Sequence, residues 1–362
     1  MRVFVELSQD IDPTTWGARH AVGEAADATP YGLHHLERFG HSVHFGVPPR
    51  PGLIRRVGAS VAARTWGWQS VSSAWHLGHR VRGGADVVLC MDERNGVPAA
   101  LAPSRVPVVS GIAWLEDLQQ LSRPHAALAA RALSRMAGVF TECRAMLDPL
   151  EHGLGVPRER LHFVTLGIDE KHFSPSAHPP IPDRVFSVGD DRMRDYDTLT
   201  TALKQVRAHR PDLTAEIATT LPVDLPSEWS LIHRRRMDHA VRACYANASV
   251  VALALKNTRH GSGLTVILEA MASARPLVVT DNPGLDDYVE HGVTGLRVPH
   301  GSPTAMAEAV QSLLDDPARA EALGRAARAR VQESFTTKHM ATDLDRVLRS
   351  AVGSTGRHRA QG

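Results

Sequence analysis

The chain has 362 residues, 43% hydrophobic and 22% charged, and its 41 basic and 39 acidic side chains leave a formal net charge of +2. That length exceeds what one core usually holds and fits two globular domains, and so small a charge argues against nucleic acid as a partner. Three widely spaced cysteines, Cys90, Cys143 and Cys244, fit neither a disulfide framework nor a zinc site, no apolar run approaches the roughly 18 residues of a membrane span, and the opening M-R-V-F-V-E-L lacks a signal-peptide pattern; these features predict a soluble, cytoplasmic protein.

In chain order, Val3 to Leu7 reads as a strand, Ser8 to Thr29 as a polar stretch, Tyr31 to Phe39 as a helix closed by Gly40, and Ser42 to Gly46 as a second strand. Strand, helix, strand with a glycine C-cap is a βαβ unit and predicts a parallel sheet. From Phe39 to Ala85 there is no acidic residue, whereas Arg50, Arg55, Arg56, Arg64, Arg80 and Arg82 accompany Trp66, Trp68 and Trp75. Two readings stand: surface helices with inward tryptophans, or a basic aromatic face for an anionic membrane surface or an acceptor. The alternation resumes with strands at Asp86 to Met91, Val106 to Ser110, Gly138 to Thr141 and Leu161 to Thr165, and a helix at Pro124 to Met136. Residues 1–166 thus predict one doubly wound domain.

Residues 167–183, with Gly167, Pro175, Pro179, Pro180 and Pro182, break both periods and read as a linker. A second α/β domain over 184–338 opens with the strand Arg184 to Val188, ending at Gly189. The polar loop beyond it carries Arg192 and Arg194, and guanidinium groups just past a parallel strand suit a diphosphate because they stay charged and grip oxygens as a fork. An amphipathic helix with Leu199, Ala202, Leu203 and Val206 on one face follows. Further elements are read at Leu213 to Ile217, Met237 to Ala246 and Ser249 to Leu255, with His233 to Arg236 as a solvated loop of no assigned role.

Gly261, Ser262 and Gly263 then make a tight turn into a helix beginning near Leu264 and Thr265, which aims unbonded amides and the positive end of the helix dipole beyond the strand. Glu269 lies one turn on among apolar neighbours, where a carboxylate needs hydrogen-bond donors such as sugar hydroxyls, unless it faces solvent or caps a neighbouring loop. Ser302-Pro303 and Asp316-Pro317 each place a capping side chain before a proline at the first helical position. Met340, Leu344, Val347, Leu348 and Ala351 share a face of a helix over 339–352 that can pack back on the first domain, and 353–362 reads as a disordered tail.

The stretch H-G-S-G-L-T-V-I-L-E-A-M-A-S-A-R-P-L-V-V-T-D, followed by G-L-D-D-Y-V-E-H-G-V-T-G-L-R-V-P, resembles the donor-site signature of retaining glycosyltransferases of glycosyltransferase family 4. Glu269 matches the second signature glutamate, Gly261 stands where the first would fall, and Asp287 replaces the later one. Gly167, Asp169, Phe173 and Pro175 resemble that family's interdomain segment. The resemblance implies a GT-B fold, two Rossmann-like doubly wound parallel-sheet domains facing a cleft, the first taking the acceptor. It implies transfer of a sugar from a nucleotide-diphosphate-sugar donor with retention, with Gly189, Arg192, Arg194, Gly261, Ser262, Gly263, Leu264, Thr265 and Glu269 at the donor. Arg194, Glu269 and, in place of the missing glutamate, His260 are the catalytic candidates. Glu116 is a candidate for the histidine that relatives often carry in the first domain. A nucleotide-sugar epimerase or hydrolase and a non-catalytic sugar-nucleotide-binding protein stay open as alternatives.

The acceptor, whether glycan, lipid-linked or small molecule, is not written in any motif. Asp-x-Asp occurs at Asp10, Asp195 and Asp343 by what composition alone supplies, and the 20 histidines form no zinc-spaced cluster in the signature regions, so no metal and no cofactor are expected.

Overall fold

The computed structural model describes residues 1–7, 11–46 and 84–360. The arginine- and tryptophan-bearing stretch from Arg50 to Arg82 lies outside them. The chain divides into two compact units. One comprises Met1–His20, Ala28–Thr165 and Lys338–Gly362, and the other comprises Ala21–Asp27 and Leu166–Thr337.

The first unit holds a six-stranded sheet in the order β2-β1-β3-β4-β5-β6, built from β1 (Arg2–Glu6), β2 (Ser42–Phe45), β3 (Val87–Cys90), β4 (Val108–Gly111), β5 (Gly138–Thr141) and β6 (Leu161–Phe163). Every pairing is parallel. Strands β3, β4 and β5 are buried at every position, which is why they read as continuous apolar runs rather than alternating ones.

Two helices of this unit escape the apolar pattern. Helix α1 (Pro13–Ala21) lies within the stretch read as merely polar and has no buried residue; the Asp12 carboxylate starts it by accepting from the Thr14 amide at 2.9 Å. Helix α2 (Glu93–Leu101) is capped by Asp92, which accepts from the Arg94 amide, and it packs on α3 (Arg123–Arg135) and β4. The segment Pro30–Phe39 is a 3-10 helix rather than an α-helix, interrupted by positive φ at Tyr31 and Gly32. It stops at Gly40 in the left-handed conformation that glycine favours.

The second unit repeats the plan with β7 (Arg184–Val188), β8 (Thr214–Ala218), β9 (Ser230–His233), β10 (Val250–Leu253), β11 (Leu277–Thr280) and β12 (Leu296–Val298), in the order β12-β11-β10-β7-β8-β9 and all parallel. The order reverses between β7 and β10, so the switch point lies there, and ligands of such sheets sit beyond the strands' carboxyl ends. Helix α4 (Tyr196–His209) lies against the later helix Pro303–Asp315, burying Leu199, Leu203 and Val206 with Val310 and Leu313. Helix α5 spans Val241–Asn247 and α6 Leu264–Ala272; α7 is Pro303–Asp315 and α8 Pro317–Ser334. Ser302 and Asp316 cap α7 and α8 by accepting from the Ala305 and Arg319 amides. His233, read as loop, is instead the last residue of edge strand β9, because the backbone ladder to β8 outweighs its polar sequence.

The division departs from the sequence boundaries at two places. Ala21–Asp27 belongs to the second unit, because the Asp169 carboxylate accepts from the Asp27 amide at 2.7 Å as well as from the Lys171 and His172 amides, and Thr337 donates to Asp27. The last helix, α9 (Thr337–Ala360), continues past Gly353, where composition predicts a disordered tail. A mid-helix glycine costs only about 1 kcal/mol, and the preceding turns are anchored. Met340, Leu344, Val347, Leu348 and Ala351 are all buried within the first unit, with Val347 and Ala351 against Gly138. Asp345 reaches His41 at 2.6 Å. Among the described residues no helix is long and apolar enough to cross a membrane.

Candidate functional site

Strand β7 ends at Gly189, whose φ is +138°, a conformation that side-chain-bearing residues rarely adopt. A β-carbon there would stand 2.1 Å from Nε of Arg194, so the missing side chain is what admits the guanidinium. Arg194 Nε donates to the Val188 carbonyl at 3.2 Å. The loop carrying it is sewn to the end of β10, since the Asp195 amide donates to Ala254 and the Lys256 amide donates to Met193. Arg192, two residues earlier, is exposed.

The turn before α6 closes on the same guanidinium. Gly263 has φ +82°, and a β-carbon on it would lie 2.8 Å from Leu253 and 3.0 Å from Arg194 Nη1. Arg194 therefore sits between two glycines from stretches about seventy residues apart, with its side chain only 4% exposed. Asp191, which no sequence pattern singles out, fastens the two stretches together. Its Oδ1 accepts from the Met193 amide at 2.8 Å and from Ser262 Oγ at 3.2 Å, while Oδ2 lies 3.0 Å from Arg194 Nη1.

No side chain caps α6; its N-cap is Gly263, and no acidic residue occupies its first turn. The leading amides and the positive end of the dipole thus act beside a buried guanidinium, a combination suited to an anion. Leu264 is buried, Thr265 is exposed and Gly261 is intermediate.

Glu269, on the second turn of α6, is half-buried, and Tyr245 donates to its Oε2 at 2.7 Å. Burial pushes the Glu269 carboxyl up to about 7, against the opposing pull of the Tyr245 bond and the Arg194 charge. Tyr245 is fully buried, edge-on to Phe186 at 5.1 Å, and burial together with the Glu269 charge holds its phenol well above the ordinary range. It stays a donor. Tyr245 falls on the helix expected over Met237 to Ala246, with no role assigned to it there; the signal in the sequence is a phenol on a buried helix face, which needs a partner.

His260 is buried, its Nδ1 2.6 Å from Thr258 Oγ1 and its carbonyl accepting from the Ser262 amide. Gly284 packs on that carbonyl so closely that a β-carbon would stand 2.6 Å away. The structure therefore brings Gly189, Arg194, Ser262, Gly263 and Asp191 into one cluster and holds His260 in the adjoining turn. Among the described aspartates of the Asp-x-Asp pairs, Asp195 caps α4 through Thr198, and Asp343 and Asp345 bond Thr165 and His41.

In the first unit the loop after β4 wraps a carboxylate to which no sequence motif points. Glu93 accepts from the Ala113 and Trp114 amides at 2.8 and 2.9 Å. Burial and the Asp92 charge push Glu93 up, and burial with the charges of Asp92 and Glu93 pushes Glu142 up to about 7.

A family model described as Glycosyl transferases group 1 matches residues 183–316, the span that holds the Arg194 and Glu269 stretches. An alpha-maltose-1-phosphate synthase of Mycolicibacterium smegmatis is 39% identical over 223 residues, 53% of this chain and 57% of that protein. A D-inositol 3-phosphate glycosyltransferase of Pseudarthrobacter chlorophenolicus is 26% identical over 215 residues, 53% of this chain and 50% of that protein. The chain thus spans about half the length of these relatives. Among solved structures, a sucrose-phosphate synthase from Thermosynechococcus elongatus superposes with a TM-score of 0.74 at 16% identity, covering 98% of this chain and 100% of that one. Anabaena Alr3699/HepE, in complex with UDP and glucose, superposes with a TM-score of 0.67 at 15% identity, covering 97% and 100%. The fold is GT-B, two six-stranded parallel α/β units.

Proposed function

We propose that the protein transfers a sugar from a nucleotide-diphosphate-sugar donor to an acceptor hydroxyl, with retention at the anomeric carbon and no obligatory metal. The observation that supports this reading is the Arg194 guanidinium held between Gly189 and Gly263 at the uncapped start of α6, with Glu269 one turn further on. Arg194, Arg192 and the amides of Gly263 and Thr265 hold the diphosphate. Glu269 accepts from donor hydroxyls with the oxygen that Tyr245 leaves to it, and His260 stands in for the family's first glutamate.

In the reaction the bond between the anomeric carbon and the diphosphate oxygen breaks and a bond to the acceptor oxygen forms on the same face. The acceptor proton passes to the departing phosphate. Negative charge grows on the leaving group, so fixed positive groups aimed there lower the barrier. The UDP complex of HepE is consistent with a donor of this class.

The experiment is incubation with labelled nucleotide sugars. Acceptor-dependent release of nucleoside diphosphate is the expected result. Acceptor-free conversion of the donor, or binding with no turnover, would overturn it in favour of an epimerase or hydrolase, or a non-catalytic protein, respectively.

A further inference from the structure

We propose that Glu216, His233 and Cys244 bind one divalent transition metal of the zinc type, at a site separate from the donor groups. Glu216 is in the middle of β8, His233 ends the neighbouring edge strand β9, and Cys244 lies on α5. In the β8–β9 register His233 faces Ala218, two residues beyond Glu216, which puts both side chains on one face of the sheet. The sequence separates them by 17 and 28 residues, and only the strand pairing and the return of α5 bring them together.

Their ligand atoms converge. His233 Nε2 is 2.8 Å from Glu216 Oε1, and Cys244 Sγ is 3.3 Å from the same oxygen. All three lie within 4.8 Å of one another. A tetrahedral zinc with ordinary bond lengths spaces its nitrogen and oxygen ligands about 3.3 Å apart and its sulfur and oxygen about 3.5 Å apart. The Glu216–His233 and Glu216–Cys244 separations therefore reach those spacings by opening a few tenths of an ångström.

The surroundings suit the purpose. Arg184 Nη1 lies 3.5 Å from the other Glu216 oxygen, Oε2, and so orients the carboxylate with Oε1 turned toward His233 and Cys244. Cys244 also points at the Ala240 carbonyl, at 3.9 Å, within its own helix. A thiolate and a carboxylate balance a dication, and a neutral imidazole completes the set. One sulfur, one nitrogen and one oxygen match zinc or cobalt, whereas calcium and magnesium take oxygen alone. Glu216 and Cys244 are buried and His233, on the edge strand, is one-fifth exposed, so it marks the way in. Binding releases the thiol proton to solvent and moves the imidazole proton to Nδ1, and the ion ties the edge strand to α5.

The test is titration of the chelator-treated full chain with cobalt(II), followed by zinc(II). One equivalent of cobalt should bind saturably with a near-ultraviolet thiolate-to-cobalt charge-transfer band, and zinc should bleach it and raise the melting temperature. Cys244→Ser should abolish the band, and His233→Gln should weaken cobalt binding by roughly tenfold or more. Cys90→Ser and Cys143→Ser, which alter the other two buried thiols, should leave the band intact. Should Cys244→Ser fail to fold, as judged by circular dichroism, His233→Gln decides alone. No saturable cobalt binding by the parent, a band that survives Cys244→Ser, or undiminished affinity in His233→Gln would overturn the proposal.

Discussion

Tyr245 donates a 2.7 Å hydrogen bond to Glu269 from a neighbouring helix, and that bond is made in a core where the tyrosine has no exposed surface. The carboxyl is thereby held in place on the second turn of α6, in the helix whose amino end carries the anion-directed groups. With its pKa up to about 7, Glu269 changes charge near neutrality.

That shift has a sign. The folded carboxyl titrates above its ordinary value of 4.5, so between pH 4.5 and 7 the folded protein holds more protons than the unfolded chain, and the associated stability is lost as pH rises through that window. Glu269→Gln removes this loss. Urea unfolding at pH 5 and 7.5 should show the parent losing more stability than the variant, by at most about 3 kcal/mol and by less in so far as the partly exposed carboxyl is screened. Donor affinity should rise through pH 7 in the parent and stay flat in the variant, because donor hydroxyls bond the carboxylate form. Tyr245→Phe should move that rise to higher pH.

Arg194→Ala removes the charged group between Gly189 and Gly263. Nucleoside-diphosphate binding should weaken by on the order of 2–4 kcal/mol by calorimetry, with transfer falling at least as much. Arg194→Lys should recover little, since a point charge does not reproduce the planar fork. Parent-like affinity in Arg194→Ala would remove this residue from the donor site.

Gly189→Ala tests the same guanidinium through the backbone. The substitution is strained at φ +138° and its methyl would meet Arg194 Nε at 2.1 Å. Stability should drop by about 1–3 kcal/mol, and diphosphate affinity should fall as it does in Arg194→Ala. A variant that loses stability but keeps its affinity would show that Arg194 binds from another position.

His260→Ala separates chemistry from diphosphate binding. If the imidazole serves the transferred sugar, turnover of the donor should fall while nucleoside-diphosphate affinity holds. A loss of both together would point to collapse of the Thr258–His260 turn instead.

Asp345→Ala tests the anchoring of α9. Asp345 accepts from His41 at 2.6 Å and from Arg349 at 2.8 Å, with the His41 side chain 1% exposed. Removing the carboxylate leaves a buried imidazole without its acceptor, and denaturant unfolding should show a loss of about 3 kcal/mol.

The repeated elements and the local punctuation are legible in the order of the amino acids. Strands such as Gly138–Thr141 and Arg184–Val188 appear where the apolar runs put them, Gly40 and Gly263 take the left-handed conformation at element ends, and Ser302 and Asp316 cap the helices they precede. These features depend on backbone dihedrals and on periods of two or 3.6 residues, which a few neighbouring side chains set. The helices Pro13–Ala21 and Glu93–Leu101 and the edge strand Ser230–His233 went unseen because capping and ladder bonds, rather than an apolar stripe, define them. The convergences arise from the folded chain alone: Asp191 on Ser262 across 71 residues, Tyr245 on Glu269 across 24, and Cys244 on Glu216 across 28. Such pairs depend on strand order and on which face of the sheet each helix returns to, and no local pattern encodes either.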